Sequence, residues 1–176
     1  MEDECHLLWG DTLGYVWGNR NEPTMTPILN ERERQTYYGA LNCFTGDFYI
    51  SPYNAGNGDN TVEYLKYLRK ELNDKKILII WDGASYHKFS AMREYLQLIN
   101  KDLPPEEWKI TCVLFAPNAP EQNPVEDIWL QGKTNLRKNF AENKTFAQVK
   151  KAFSSFYQNR KFDFPKIQMY RDFILT

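Results

Sequence analysis

The chain has 176 residues and a formal net charge of −1, and this length suits one domain with a buried core rather than two. Its hydrophobic and charged fractions, 42% and 26%, are those of an ordinary globular protein and exclude disorder as the default. No apolar run reaches the roughly 18 residues that a membrane span needs, and the first residues carry no signal-peptide pattern, so we expect a cytoplasmic protein with no membrane partner.

The first part of the chain predicts an antiparallel meander of short strands. Runs rich in aromatic and β-branched residues are separated by turn residues, and they cover 5–10, 14–18, 35–42 and 47–54. A helix capped by Asn60 is expected next, because apolar residues then recur at helical spacing: Val62, Leu65, Leu68 and Leu72.

Strands and helices alternate in the rest of the chain. The apolar runs 75–83 and 110–117 are typical of buried strands, and a helix is expected after each, over 89–100 and from near Pro124. Further helices are expected near 145–158 and at the C-terminus. Strand–helix–strand order favours parallel pairing through right-handed crossovers. The expected fold class is α/β: a mixed sheet, antiparallel meander plus parallel strands, with helices on both faces, in a single domain over 1–176.

The cysteine and histidine content limits the kinds of metal site. Three cysteines lie far apart, and the only histidines are His6 and His87. This pattern fits neither a disulfide framework nor a zinc motif. Any metal would therefore have to be held mainly by carboxylates.

Two carboxylates stand at positions where such a site is commonly built. Asp82 ends the run 75–83, and open α/β sheets place ligands at the C-terminal ends of their strands. Glu126 falls in the first turn of the helix that begins near Pro124, where the helix dipole favours negative charge. Carboxylates without neighbouring histidine or cysteine suit hard ions such as Mg²⁺. Each acid taken alone also fits an ordinary capping role.

A third acid is expected on the first strand, because two ions about 3.5–4 Å apart are the usual arrangement for phosphodiester chemistry. Asp3 is preferred for this position. Asp11 is the alternative, but it lies in a Gly-Asp-Thr turn.

Three sequence blocks resemble those of a known family. WDGASYH (81–87) and PNAPEQNPVEDIW (117–129), with 43 residues between their acids, resemble the second and third blocks of DDE transposases of the mariner superfamily. The similarity is greatest to the bacterial insertion-sequence branch, the IS-six-thirty type. DECHLLWG (3–10) is similar to the family's first block. The resemblance covers nearly the whole chain.

The resemblance implies a ribonuclease-H-like catalytic domain with Asp3, Asp82 and Glu126 as the catalytic and metal-binding acids. It implies two Mg²⁺ (or Mn²⁺) ions and cleavage of DNA by water, followed by joining through a DNA 3′-hydroxyl. The implied partners are transposon ends and target DNA, bound by a homodimer in the bacterial cytoplasm at the nucleoid. One departure is Gly83, where the family usually has asparagine.

Two further expectations concern the N-terminal region. The chain begins two residues before Asp3, so most of the first strand is expected to be truncated. No residues match the family's DNA-recognition helix-turn-helix domain, so little sequence readout is expected.

Other residues of these blocks have a structural and a functional interpretation. His87 could contact a scissile phosphate or orient a water, or could be satisfied by backbone. Asn123 could cap the helix and fix its loop, or serve as an accessory site residue. Trp129 is expected to pack and anchor the helix.

Residues 131–161 carry eight basic side chains against one acid, Glu142. Such a region can bind a polyanion or can simply be a solvated helical surface. The candidates for contact with the DNA backbone are Lys133, Arg137, Lys138, Lys150 and Lys151.

Two alternatives to transposition stay open: a ribonuclease-H-like nuclease or resolvase that does not join DNA, and a DNA-binding remnant without catalysis.

Overall fold

The structure is a computed structural model that describes residues 1–12, 18–19, 21–22, 33–83, 90–116 and 120–175. In this part of the chain three strands come first, then two helices alternate with two strands, and three helices follow. The strands are β1 (Glu2–Leu8), β2 (Arg34–Leu41), β3 (Phe48–Tyr53), β4 (Ile77–Trp81) and β5 (Ile110–Leu114). The helices are α1 (Gly58–Glu71), α2 (Ser90–Ile99), α3 (Pro124–Lys138), α4 (Phe146–Tyr157) and α5 (Pro165–Leu175).

The strands pair as the sequence predicts, with antiparallel pairing first and parallel pairing later. β1, β2 and β3 form an antiparallel meander, and β4 pairs with β5 in parallel. β1 also contacts β4, which brings the two groups of strands side by side. The predicted mixed α/β fold is confirmed.

Helices cover both faces of the strands. Neighbouring strand residues point to opposite faces, so adjacent residues of β2 pack against different helices. Tyr37 is buried with Trp129 and Phe153 in a core formed with α3 and α4. Tyr38, the next residue, is buried with Tyr64 and Leu68 of α1 in a second core. The two tyrosines of β2 are therefore core residues, one on each face of the strand.

Several element ends differ from the sequence-based prediction. β1 starts at Glu2 rather than at residue 5, because its pairing with β2 extends to the Glu2–Ala40 pair. The predicted cap of α1, Asn60, is wrong. The cap is Asn57, whose extended backbone places its side-chain Oδ1 2.9 Å from the Asn60 amide nitrogen. The predicted strand 14–18 falls largely outside the described residues.

In the described part of the chain, no helix combines the length and the apolar character needed to cross a membrane.

Candidate active site

Asp3 lies on β1 and is half-buried on the face that packs against α3. Its partner across the antiparallel ladder is Gly39 of β2. Alternation along β1 puts the buried Cys5 on the same face and Glu2 on the opposite one. The acid predicted for the first strand therefore projects from a strand that pairs with β2 along its whole length.

Asp82 follows the last residue of β4 and is exposed. The parallel ladder ends just before it, where the Phe115 amide donates to the Trp81 carbonyl over 2.8 Å. Asp82 thus stands at the C-terminal end of a strand in a parallel pair, the position where α/β sheets place ligands.

Glu126 is the third residue of α3, in the helical turn that favours negative charge. Pro124 begins the helix and Asn123 caps it, with its Oδ1 accepting from the Val125 amide over 3.1 Å. Asn123 is 4% exposed, and its Nδ2 donates to the Glu2 carbonyl over 3.0 Å. One side chain therefore starts the helix of Glu126 and attaches it to the strand of Asp3.

The three acids share one electrostatic environment. Burial raises the pKa of Asp3 well above its ordinary value, and the charges of Glu126, Glu4 and Asp82 raise it further. Burial also raises the pKa of Glu126, and Asp82 contributes in the same direction while Lys133 opposes the increase. Charges act in this way on their near neighbours. Three acids distant in sequence therefore lie within electrostatic range of one another.

The donor chemistry of the three acids suits a particular class of metal. Among the described residues, no three His, Cys, Asp or Glu side chains are close enough together to hold one ion as they stand. The predicted set is made of carboxylates alone, which is the donor type of Mg²⁺ and Mn²⁺. A cation between them would also offset the burial and repulsion that raise the pKa of Asp3. The donor set fits divalent ions of this class.

Trp129 packs in the core, as predicted, and also contacts the site. Its indole is 3% exposed and packs against Phe48, Phe153 and Tyr157, with ring centroids 5.2, 6.0 and 5.5 Å away. Its Nε1 donates to Oδ2 of Asp3 over 3.1 Å. The sequence interpretation assigned the packing and missed the hydrogen bond.

The C-terminal helix braces the start of α3, which the sequence did not reveal. Lys166 of α5 pairs with Asp127, the residue after Glu126, at 2.5 Å. The Tyr170 hydroxyl donates to the Gln122 carbonyl, just before the cap of α3, over 2.8 Å. Two contacts from α5 therefore hold the segment that carries Glu126.

Two further acids of β1 lie on the α1 side. Glu2 is 1% exposed, and burial, followed by the charge of Glu4, raises its pKa well above the ordinary value. Glu4 is half-buried. Side chains alternate between the two faces of a strand, so positions 2 and 4 of β1 lie on one face and position 3 lies on the other.

The remaining predicted residues fall on two helices or outside the described part. Lys133, Arg137 and Lys138 lie on α3, and Lys150 and Lys151 lie on α4. Lys133 is close enough to Glu126 to influence its pKa. His87, and the loop that follows Gly83, lie outside the described residues, and the side chain of Asp11 is likewise not described.

Comparison of the coordinates with solved structures establishes the fold. The Mos1 transposase paired-end complex with left transposon end matches with a TM-score of 0.62 at 13% identity, over 96% of this chain and 49% of that chain. The Mos1 mariner paired-end complex with Mn matches with a TM-score of 0.55 at 12% identity, over 91% of this chain and 48% of that chain. A simian T-cell lymphotropic virus intasome in complex with the PP2A regulatory subunit B56 gamma matches with a TM-score of 0.53 at 14% identity, over 80% of this chain and 48% of that chain. The chain thus spans about half the length of these structures, and its mixed α/β fold is ribonuclease-H-like.

No curated protein matches the chain. A family model does match, described as DDE superfamily endonuclease, over residues 2–148, which include all three predicted acids. This match covers most of the 176 residues. The chain belongs to the DDE superfamily of endonucleases.

Proposed function

We propose that the chain is the catalytic domain of a transposase of the bacterial insertion-sequence branch, and that it cleaves DNA at insertion-sequence ends and joins those ends to a target. One observation carries the proposal: Asp3, Asp82 and Glu126 come from a strand, a strand end and a helix start, and act on one another electrostatically. Proteins seldom gather acids without charge compensation unless the site has a ligand to bind.

In this reaction the three carboxylates would hold two Mg²⁺ or Mn²⁺ ions. When bound, such ions activate a water or a 3′-hydroxyl and stabilise the leaving oxygen of a phosphodiester. The chain's own part is to hold the carboxylates in place. Asp3 lies on a strand that pairs with β2, Asp82 directly follows a strand that pairs with β5, and Asn123 attaches the helix of Glu126 to β1. A Mos1 relative has been solved with Mn, which is consistent with this choice of metal.

DNA is the proposed partner, bound by a homodimer. The Mos1 structures are complexes with transposon ends or transpososomes, as their names state. Basic residues of α3 and α4 are proposed to contact the DNA backbone without reading sequence: Lys133, Arg137, Lys138, Lys150 and Lys151. Lys133 is the nearest of these to the acids, since its charge acts on Glu126.

The first experiment measures nicking of supercoiled plasmid by the 176-residue chain with Mg²⁺ or Mn²⁺. We expect metal-dependent nicking that Asp3→Asn, Asp82→Asn and Glu126→Gln each abolish. Asp59→Asn is the matched control, because Asp59 is an exposed acid in the first turn of α1 and is not one of the three acids. Equal nicking by the wild type and Asp82→Asn would show that the proposed site does not act.

The second experiment separates transposition from simpler nuclease activity. Linear DNA that ends in the element's terminal repeats is incubated with a target plasmid, and joined products are counted. Joining by the wild type supports a transposase, and cutting without joining supports a nuclease or resolvase of the same fold. DNA binding without either reaction supports the catalytically inactive remnant.

A further inference from the structure

The hydrogen bond between Trp129 and Asp3 joins residues 126 positions apart and is half-buried. An indole N–H can only donate, so it fixes the direction of the carboxylate oxygen that accepts it. The indole donates to Oδ2 of the carboxylate, and the backbone N–H of Glu4 also donates to this carboxylate. We propose that Trp129 is a positioning residue, which fixes the orientation of the Asp3 carboxylate for binding a divalent cation. This inference rests on the proposed function.

The indole itself is held rigidly, which a positioning role requires. Its ring stacks on Phe153 at an interplanar angle of 17° and meets Phe48 and Tyr157 edge-on at 80° and 84°. Three rings therefore restrict the two side-chain torsions of Trp129. Loss of the N–H at this position would remove this hydrogen bond from the Asp3 carboxylate.

The strand next to Asp3 is shaped to admit the indole. Gly39 pairs with Asp3, and a Cβ at this position would lie 2.6 Å from Cη2 of Trp129 and 2.5 Å from Cζ of Phe48. A side chain at residue 39 would therefore displace the ring that donates to Asp3. The glycine on β2 and the tryptophan on α3 form one arrangement around the carboxylate.

A purely structural interpretation is also available: Asp3 could simply satisfy a buried N–H, since buried polar groups are normally paired. The two interpretations differ in what happens to metal binding. Hydrogen-bond partners of metal ligands typically change metal affinity or activity about 10- to 100-fold when removed. A packing role alone lowers stability and leaves metal affinity unchanged.

The test compares Mn²⁺ binding by the wild type and Trp129→Phe, measured by isothermal titration without DNA. Phenylalanine keeps an aromatic ring and removes the N–H. We expect the Kd for Mn²⁺ to rise about tenfold or more. In plasmid nicking by Trp129→Phe, we expect the Mg²⁺ concentration that gives the half-maximal rate to rise by a similar factor. The nicking rate at saturating Mg²⁺ should fall by a smaller factor. The matched control is Tyr64→Phe, which also removes a side-chain donor and keeps an aromatic ring, but lies in the second core, where the Tyr64 hydroxyl donates to the Tyr49 carbonyl over 2.7 Å; it should lower the Tm with Mn²⁺ affinity unchanged.

The outcomes separate this inference from the proposed function. If the wild type binds Mn²⁺ and nicks DNA but Trp129→Phe binds Mn²⁺ equally well, the positioning role is wrong and the function stands. If Mn²⁺ binding weakens in Trp129→Phe but the wild type cuts no DNA, the positioning role stands and the function is wrong. If the wild type binds no divalent ion, both are overturned.

A second measurement covers the case in which Trp129→Phe does not fold. The ¹⁵N–¹H indole resonance of Trp129 is followed in the wild type during titration with Mg²⁺. We expect this resonance to shift with the metal and to lose that response in Asp3→Ala. An indole resonance that ignores saturating Mg²⁺ would overturn the positioning role.

Discussion

Asn123 makes two hydrogen bonds whose removal has a predictable cost. In Asn123→Ala the Val125 amide loses its cap, and such a loss is worth about 1 kcal/mol. The buried carbonyl of Glu2, which lies 121 residues earlier in the sequence, loses the hydrogen bond from the Asn123 side-chain amide, and this costs about 1–3 kcal/mol. The expected loss in the free energy of unfolding is therefore about 2–4 kcal/mol.

The assay is urea unfolding of the wild type and three variants. Asn123→Ser retains a good capping oxygen and removes the amide donor, so it should lose only the part that belongs to the Glu2 carbonyl, about 1–3 kcal/mol. Thr145→Ala removes the cap of α4, whose hydroxyl accepts from the Gln148 amide over 3.3 Å, and should cost about 1 kcal/mol.

The same variants test the link between this attachment and the acids. Asn123→Ala should slow metal-dependent nicking even where it remains folded, because a displacement of about 1 Å at a reacting site can reduce a rate about 100-fold. Thr145→Ala should nick DNA at the wild-type rate. The reasoning is refuted if Asn123→Ala is no less stable than Thr145→Ala, or if the two nick DNA equally fast.

Further predictions concern charge and packing. Because the pKa of Asp3 is raised, folding is favoured when this group is protonated, so its contribution is complete below the ordinary value of 3.8 and is lost as pH rises through the raised pKa. In EDTA, Asp3→Asn should therefore be more stable than the wild type at pH 8, and urea unfolding should show the difference shrinking towards pH 5. A Cβ on Gly132 would lie 2.6 Å from Cζ of Tyr157, so Gly132→Ala should lose about 1–3 kcal/mol in urea unfolding, and a wild-type midpoint would contradict the packing. If the lysines of α4 contact DNA phosphates, the double variant Lys150→Glu/Lys151→Glu should bind DNA more weakly. The slope of log K against log salt concentration should become smaller by about 0.9 for each phosphate that is no longer neutralised. An unchanged slope in a fluorescence titration would exclude a role for these two lysines in DNA binding.

The α5 helix extends the site beyond the three sequence blocks. Lys166 and Tyr170 hold the segment from Gln122 to Asp127, and this segment contains Asn123 and Glu126. The C-terminal tail therefore belongs to the positioning of an acid, although the family match ends at residue 148.

Local patterns in the sequence were enough to predict most of the strands and helices that the structure describes. Apolar residues that recur every two residues predict a strand, and apolar residues that recur about every 3.6 residues predict a helix, so a few neighbouring residues are enough for the prediction. Asp82 at a strand end and Glu126 at a helix start follow from the same local pattern, and the blocks around them predict the chemistry. The exact ends of elements were harder to predict, because Asn57 and Asn60 are equally plausible caps until the backbone of the turn is known.

The side chains that support the acids could be identified only from the folded chain. The partners of Asp3 and Glu2 are Trp129 and Asn123, more than 120 positions further along the chain. No local period carries such information, because these contacts depend on how α3 packs across the sheet. The side chains of Glu2 and Asp3, which are adjacent in sequence, point to opposite faces of β1, and the packing of the helices decides which residues each side chain contacts. The sequence predicts which acids form the site, and the orientation of those acids depends on packing between distant segments.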